Sequence, residues 1–146
     1  MDSKSLFVLD TSALLTLRSD EFGADRVEDL LARAKRGSCR LFGSFMTRME
    51  LLYLICREEG EEAARGALRL VESFTIEWIT CEPSILEVAA RLKSRGRLSV
   101  ADSWIGATAI SRQAVLIHKD PEFAKFPEIA QEALAKHSLK FSRDVD

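Results

Sequence analysis

Four acidic residues stand where an acid needs a reason. Asp10 closes the apolar run of residues 6–9 (LFVL) and leads into TSALL. Glu50 lies within MTRMELLYLIC, where most neighbours are apolar. Asp102 falls early in SVADSWIGATAI, and Asp120 follows a second apolar run in VLIHKDPEF. Carboxylates gathered in one place repel, so without a cation some of them keep protons at neutral pH. A divalent ion removes that repulsion. Ligands that are all oxygen select a hard cation, Mg2+ with Mn2+ as substitute, over zinc. Such an ion activates a water as nucleophile and polarises a phosphoryl oxygen. The chemistry open to this set is metal-assisted phosphodiester hydrolysis. It needs no histidine base, in a chain whose only histidines are His118 and His137.

Each acid also has a plainer reading. Asp10 is a good helix N-cap. Asp102 comes three residues after Ser99, close to a capping-box spacing, and its charge suits a helix N-terminus. Asp120 precedes Pro121, an ordinary cap-and-proline start. Glu50 can point to solvent from a helix with other apolar faces. Glu50 resists the plain reading most. Its neighbours at helical spacing are Met46, Met49, Tyr53 and Leu54, and the nearest downstream cation on its face, Arg57, is seven residues away. A carboxylate on such a stripe is costly unless something positive meets it.

The elements that must position these acids follow from periodicity and stop signals. Residues 6–9, 39–42, 75–79 and 114–117 read as short strands, the first and last as continuous apolar runs of the kind buried on both faces. Helices are expected over residues 11–17, 24–36, 44–57, 58–74 (after a break near Gly60), 83–94 and 100–112. Ser44 and Ser99 are N-caps, Pro83 sits in a first turn, and Gly37 is a C-terminal stop. Residues 139–141 are a further short edge-strand candidate. Strands alternating with helices predict an α/β fold with a short, mainly parallel sheet of four to five strands. Ligands of such sheets bind beyond the carboxyl ends of the strands. Asp10 and Asp120 are placed there.

Length and composition fit this picture. The chain has 146 residues, 47% hydrophobic and 30% charged, which suits one domain (residues 1–146) with a real core. No apolar run approaches the roughly 20 residues of a membrane span, and the N-terminus lacks a signal-peptide core. The three cysteines, Cys39, Cys56 and Cys81, are far apart, with no CxxC pair. They read as reduced, mostly packed thiols of a cytoplasmic protein. A net charge of −2 does not announce a nucleic-acid binder, although a local basic rim is enough to meet phosphates.

Taken together, FVLDTSALL, RMELLY, ADSWIGATA and VLIHKDPEF resemble, in order and spacing, the PIN-domain family. Within it they resemble the VapC-type toxins, small ribonucleases of toxin–antitoxin pairs. The resemblance implies a three-layer α/β/α fold and a metal site made by Asp10, Glu50, Asp102 and Asp120. It places Ser12 where the family has a hydroxyl that orients the first carboxylate, and makes Glu122 an outer candidate. It further implies Mg2+-dependent cleavage of RNA, a homodimer, and an antitoxin partner that blocks the site. The sequence departs from the family at His118, where many relatives carry threonine. Two alternatives stay open: an RNA-processing PIN nuclease without an antitoxin, and a catalytically degenerate PIN module that binds RNA or protein.

Lys93, Arg95 and Arg97, in RLKSRGRLS just before the Asp102 helix, form either a basic lip for RNA or a solvated helix end. Lys119 and Arg48 are further phosphate contacts by proximity. Trp104 reads as a stacking platform or, more simply, as core. The helix of residues 45–56 is apolar on nearly every side, so part of it is expected to meet a partner. Leu51 and Leu54 are the edge expected to be exposed in a monomer.

Overall fold

A computed structural model of the chain describes residues 5–137. Among the described residues five parallel strands form one sheet in the order β3-β2-β1-β4-β5. They are β1 (Ser5–Leu9), β2 (Cys39–Ser44), β3 (Glu77–Ile79), β4 (Val115–His118) and β5 (Gln131–Ala133). The helices are α1 (Thr11–Arg18), α2 (Ala24–Lys35), α3 (Phe45–Glu59), α4 (Glu61–Glu72), α5 (Pro83–Arg95) and α6 (Val100–Arg112), with a 3-10 turn over Pro121–Lys125.

The central strand shows why its sequence is apolar without alternation. Phe7 and Leu9 enter a core shared with α1, α2, α3 and α4, whereas Val8 enters a second core shared with α5 and α6. A strand covered on both faces has no solvent side on which to place polar residues. The result is three layers, α/β/α. Helix ends follow the expected chemistry. The Ser44 hydroxyl caps α3 by accepting from the Met46 N–H at 3.2 Å, and Ser99 caps α6 by accepting from the Asp102 N–H at 3.0 Å. Gly60 separates α3 from α4 at φ 95°, a backbone conformation that other residues adopt only at a cost.

Gly106 lets α6 lie close to the segment after β4. A Cβ at this position would come within 2.8 Å of Ile129 Cδ1. The helix that carries Asp102 therefore packs tightly beside the loop that carries Asp120.

Three expectations need correction. Leu51 is not an exposed edge: it is 2% exposed and belongs to the core under α4, whereas Met49 on the same helix is 54% exposed. A helix that is apolar all round does not reveal which side meets the sheet. Of the cysteines only Cys39 is packed, and Cys56 and Cys81 are exposed free thiols. The fifth strand is Gln131–Ala133, with the half-polar sequence QEA, while the expected strand at 139–141 lies outside the described residues. Among the described residues no helix is long and apolar enough to cross a membrane.

Candidate metal centre

The strand order reverses direction at β1: β2 lies on one side of it and β4 on the other. In open parallel sheets the crevice that takes ligands lies at that switch point, outside the carboxyl ends of the strands. Asp10 leaves β1 into it, with its backbone N–H donating to Ile117 O of β4 at 3.0 Å. Its carboxylate caps α1: Oδ2 accepts the Ser12 N–H at 3.0 Å and also the Ser12 hydroxyl. Ser12 Oγ in turn accepts the Lys119 N–H at 2.9 Å, which ties the β1 and β4 loops together. The other oxygen, Asp10 Oδ1, is buried with no hydrogen-bond partner among the described residues. Asp10 thus does cap a helix, and capping uses only half of its carboxylate.

Glu50 turns from α3 toward the same crevice. Its Oε1 accepts the Thr11 hydroxyl at 2.7 Å, and Thr11 Oγ1 lies 3.2 Å from Thr47 Oγ1. One hydroxyl proton serves one acceptor, so Thr47 donates to Thr11 and Thr11 donates to Glu50. Asp120 caps the 3-10 turn, its Oδ1 accepting the Glu122 N–H at 3.0 Å. Asp102 comes from the first turn of α6.

Three of the four acids are pushed up in part by their neighbours. Burial pushes Asp10 up to about 6, against the bonds from Ser12, and the charges of Glu50 and Asp120 add to the rise. Burial also raises Glu50, helped by Asp120 and opposed by the Thr11 hydroxyl. Asp102 is pushed up to about 8, first by burial and then by the neighbouring carboxylates of Asp10, Asp120 and Glu50. The helix N-terminus favours a charged Asp102, but three carboxylates and the loss of water outweigh it. Raised carboxylates beside one another mark a crevice short of positive charge.

The donors fit a hard divalent ion: oxygen only, with one buried carboxylate oxygen left unpartnered. They do not form a ready-made cage. Among the described residues no three His, Cys, Asp or Glu side chains are gathered closely enough to hold an ion as they stand. A hard ion that keeps several waters would take few of these carboxylates directly. Asp10, Glu50, Asp102 and Asp120 are the residues that would hold it.

The other candidates divide. Ser12 orients Asp10 as expected. Glu122 meets Asp120 through its backbone, and its own carboxylate pairs with Lys125 at 3.4 Å. Lys119 points away from the acids: its Nζ donates to Phe22 O at 2.6 Å and lies 3.4 Å from Glu21. Arg48 lies over the Trp78 ring at 5.1 Å, and Arg95 pairs with Glu128. Lys93 and Arg97 are exposed. Trp104 is half-buried, edge-on to Phe45 at 5.1 Å between ring centroids. Thr11, Thr47 and Gln131 are site residues that sequence reasoning missed. Only the position of Thr11 beside Asp10 offered a signal for any of them.

The PIN domain model matches residues 7–129 of the chain. The chain belongs to the PIN-domain family. Among solved structures it is similar to VapBC2 from Rickettsia felis bound to a DNA fragment from their promoter. That match has 18% identity and a TM-score of 0.73, and covers 89% of this chain and 99% of that one. VapBC-1 from nontypeable Haemophilus influenzae matches at 24% identity and TM-score 0.66, over 88% and 97% of the two chains. The sarcin–ricin loop cleaving toxin VapC20 of Mycobacterium tuberculosis matches at 19% identity and TM-score 0.64, over 83% and 94%. The fold is thus the one that VapC toxins have. No curated protein matches the chain.

Proposed function

We propose that this chain is a divalent-cation-dependent endoribonuclease and the toxin of a toxin–antitoxin pair, with Asp10, Glu50, Asp102 and Asp120 as its metal-holding site. The observation that carries the reading is the buried Asp10 Oδ1, unpartnered among the described residues, in a crevice where Asp10, Glu50 and Asp102 are each pushed up in part by neighbouring carboxylates. A protein that only bound RNA would gain nothing from carboxylates facing phosphates. When bound, Mg2+ or Mn2+ would supply an activated water and draw charge from the phosphoryl oxygen. Ser12 holds Asp10 in the orientation that leaves Oδ1 free. Thr11 holds Glu50 toward the crevice. Exposed Lys93 and Arg97 remain for phosphate contact, whereas Lys119, Arg48 and Arg95 are already engaged within the chain.

Two surfaces support the partner assignments. Between α1, α2, α3 and α4 lies a cavity of about 470 Å3, lined by Leu14, Leu17, Leu31, Ile55 and Phe74 and edged by Arg18 and Glu28. An amphipathic antitoxin helix fits such an apolar groove with a polar rim, and one structural neighbour is a toxin–antitoxin complex from Klebsiella pneumoniae. On the opposite layer Leu86, Val100 and Trp104 line a shallow cleft between α5 and α6, with Leu86 51% and Val100 58% exposed. A second copy of the chain covering this cleft accounts for that exposure.

The test compares purified wild type with Asp10→Asn on total cellular RNA, with Mg2+, Mn2+ or a chelator. Cleavage by wild type alone, abolished by the chelator, is the expected result. Equal cleavage by both proteins would remove Asp10 from the chemistry. A folded wild type that neither cuts RNA nor binds Mn2+ would make the chain a binding module.

A further inference from the structure

On the reading that Asp120 holds a cation, we propose that His118 and Gln131 form a latch that fixes where Asp120 stands, which makes His118 a positioning residue for the site. His118 ends β4 and is 2% exposed. Its Nδ1 lies 3.1 Å from the Asp120 backbone N, and its Nε2 lies 2.9 Å from Gln131 Oε1. A backbone N–H can only donate, so Nδ1 is the acceptor and the ring proton sits on Nε2, donating to Gln131. The Gln131 amide then faces the other way. Its Nε2, with two N–H groups to donate, faces three carbonyls, Phe123 at 2.9 Å, Ile129 at 3.2 Å and Phe126 at 3.3 Å.

Both ends of the Gln131 amide and both nitrogens of the imidazole therefore have partners that allow one arrangement only. The ring is further held against Phe123, which is fully buried, at 4.9 Å between centroids. The chain from Asp120 to Ile129 is gathered around a single amide on β5, and that amide is anchored to the ring that holds the Asp120 N–H. Asp120 Oδ1 is already occupied by the Glu122 N–H. The direction of its second oxygen thus follows from the backbone at residue 120, which is the atom group His118 holds. A ligand whose outer partner is removed typically loses about 10–100-fold in metal affinity.

The two ring nitrogens can be tested separately. In His118→Asn, Oδ1 replaces Nδ1 at the same distance along the side chain, so the Asp120 N–H keeps an acceptor. In His118→Gln the polar end replaces Nε2 and the Asp120 N–H loses its acceptor. His118→Leu removes both. Asp120 amide hydrogen exchange in metal-free protein, and Mn2+ affinity by calorimetry, are measured on all four. The expected order is protection and affinity kept within a few-fold in the asparagine variant. In the glutamine and leucine variants protection is lost and affinity falls about 10-fold or more.

Equal Asp120 protection in all four proteins would overturn the latch. Protection in the expected order with unchanged Mn2+ affinity would overturn its role in the site. A wild type that binds no Mn2+ would sink the metal reading instead, and the exchange arm alone would then decide the latch. Should the His118 variants not fold, Gln131→Met leaves the ring in place without its anchor. Faster Asp120 exchange with weaker Mn2+ binding is expected there, and no change in either would overturn the proposal.

Discussion

Replacing Asp10 with asparagine is expected to stabilise the metal-free protein while it abolishes cleavage. Asp10 is pushed from 3.8 to about 6, mainly by burial. One unit corresponds to 1.36 kcal/mol, so ionising this group in the fold costs about 3 kcal/mol relative to the unfolded chain. The folded pKa is raised, so the penalty is absent below about pH 4. It grows as pH rises toward the folded value and is constant above about pH 7. Asparagine carries no such penalty, and its Oδ1 can still accept from the Ser12 N–H and hydroxyl. The variant should match wild type near pH 4 and exceed it by about 3 kcal/mol at pH 7.5, which for a chain of this size is roughly 10 °C in Tm. The assay is urea unfolding followed by far-UV circular dichroism in chelator, at pH 4.5, 6 and 7.5. With Mn2+ added, wild type should gain stability and the variant should not. A variant less stable than wild type at pH 7.5 in chelator would refute the reasoning, because Asp10 would then be held by something other than a cation deficit.

Mn2+ affinity should rise between pH 5.5 and pH 8.5. Asp10 and Asp102 hold protons up to about 6 and about 8, and those protons compete with the ion; calorimetry in buffers of different ionisation enthalpy should show net proton release at pH 7. Thr11→Val leaves the Thr47 hydroxyl and Glu50 without their partner, and should cost about 1–3 kcal/mol by urea unfolding as well as weakening Mn2+ binding. Leu51→Ala should lose about 2–5 kcal/mol as a core truncation, whereas Met49→Ala on the exposed side of α3 should lose little in the monomer.

Much of this architecture is local and therefore legible. The run of residues 6–9 needs only its own composition to read as a doubly buried strand, and Ser44, Ser99 and Gly60 act at helix ends through contacts within a few residues. The place of Asp10 was legible for a related reason, since an acid directly after a buried strand sits at a sheet mouth whatever the rest of the chain does. Features that depend on distant partners were not legible. Thr11 meets Glu50 across 39 positions and His118 meets Gln131 across 13, and no spacing rule announces either pair. Among the described residues Gln131–Ala133 pairs only with β4, at the sheet edge, so its sequence carries no buried pattern. Lys119 and Arg48 looked free because their partners, Phe22 and Trp78, lie far away in sequence.

The central claim is that four acids from β1, α3, α6 and the β4 loop form one cation site. Mn2+ titration calorimetry on wild type and on Asp10→Asn, Glu50→Gln, Asp102→Asn and Asp120→Asn tests it most directly, with circular dichroism to confirm that each is folded. Saturable binding by wild type, weakened in every one of the four variants, is the predicted result. Binding that survives unchanged in any of these variants would remove that residue from the site, and a folded wild type that takes up no Mn2+ would contradict the account.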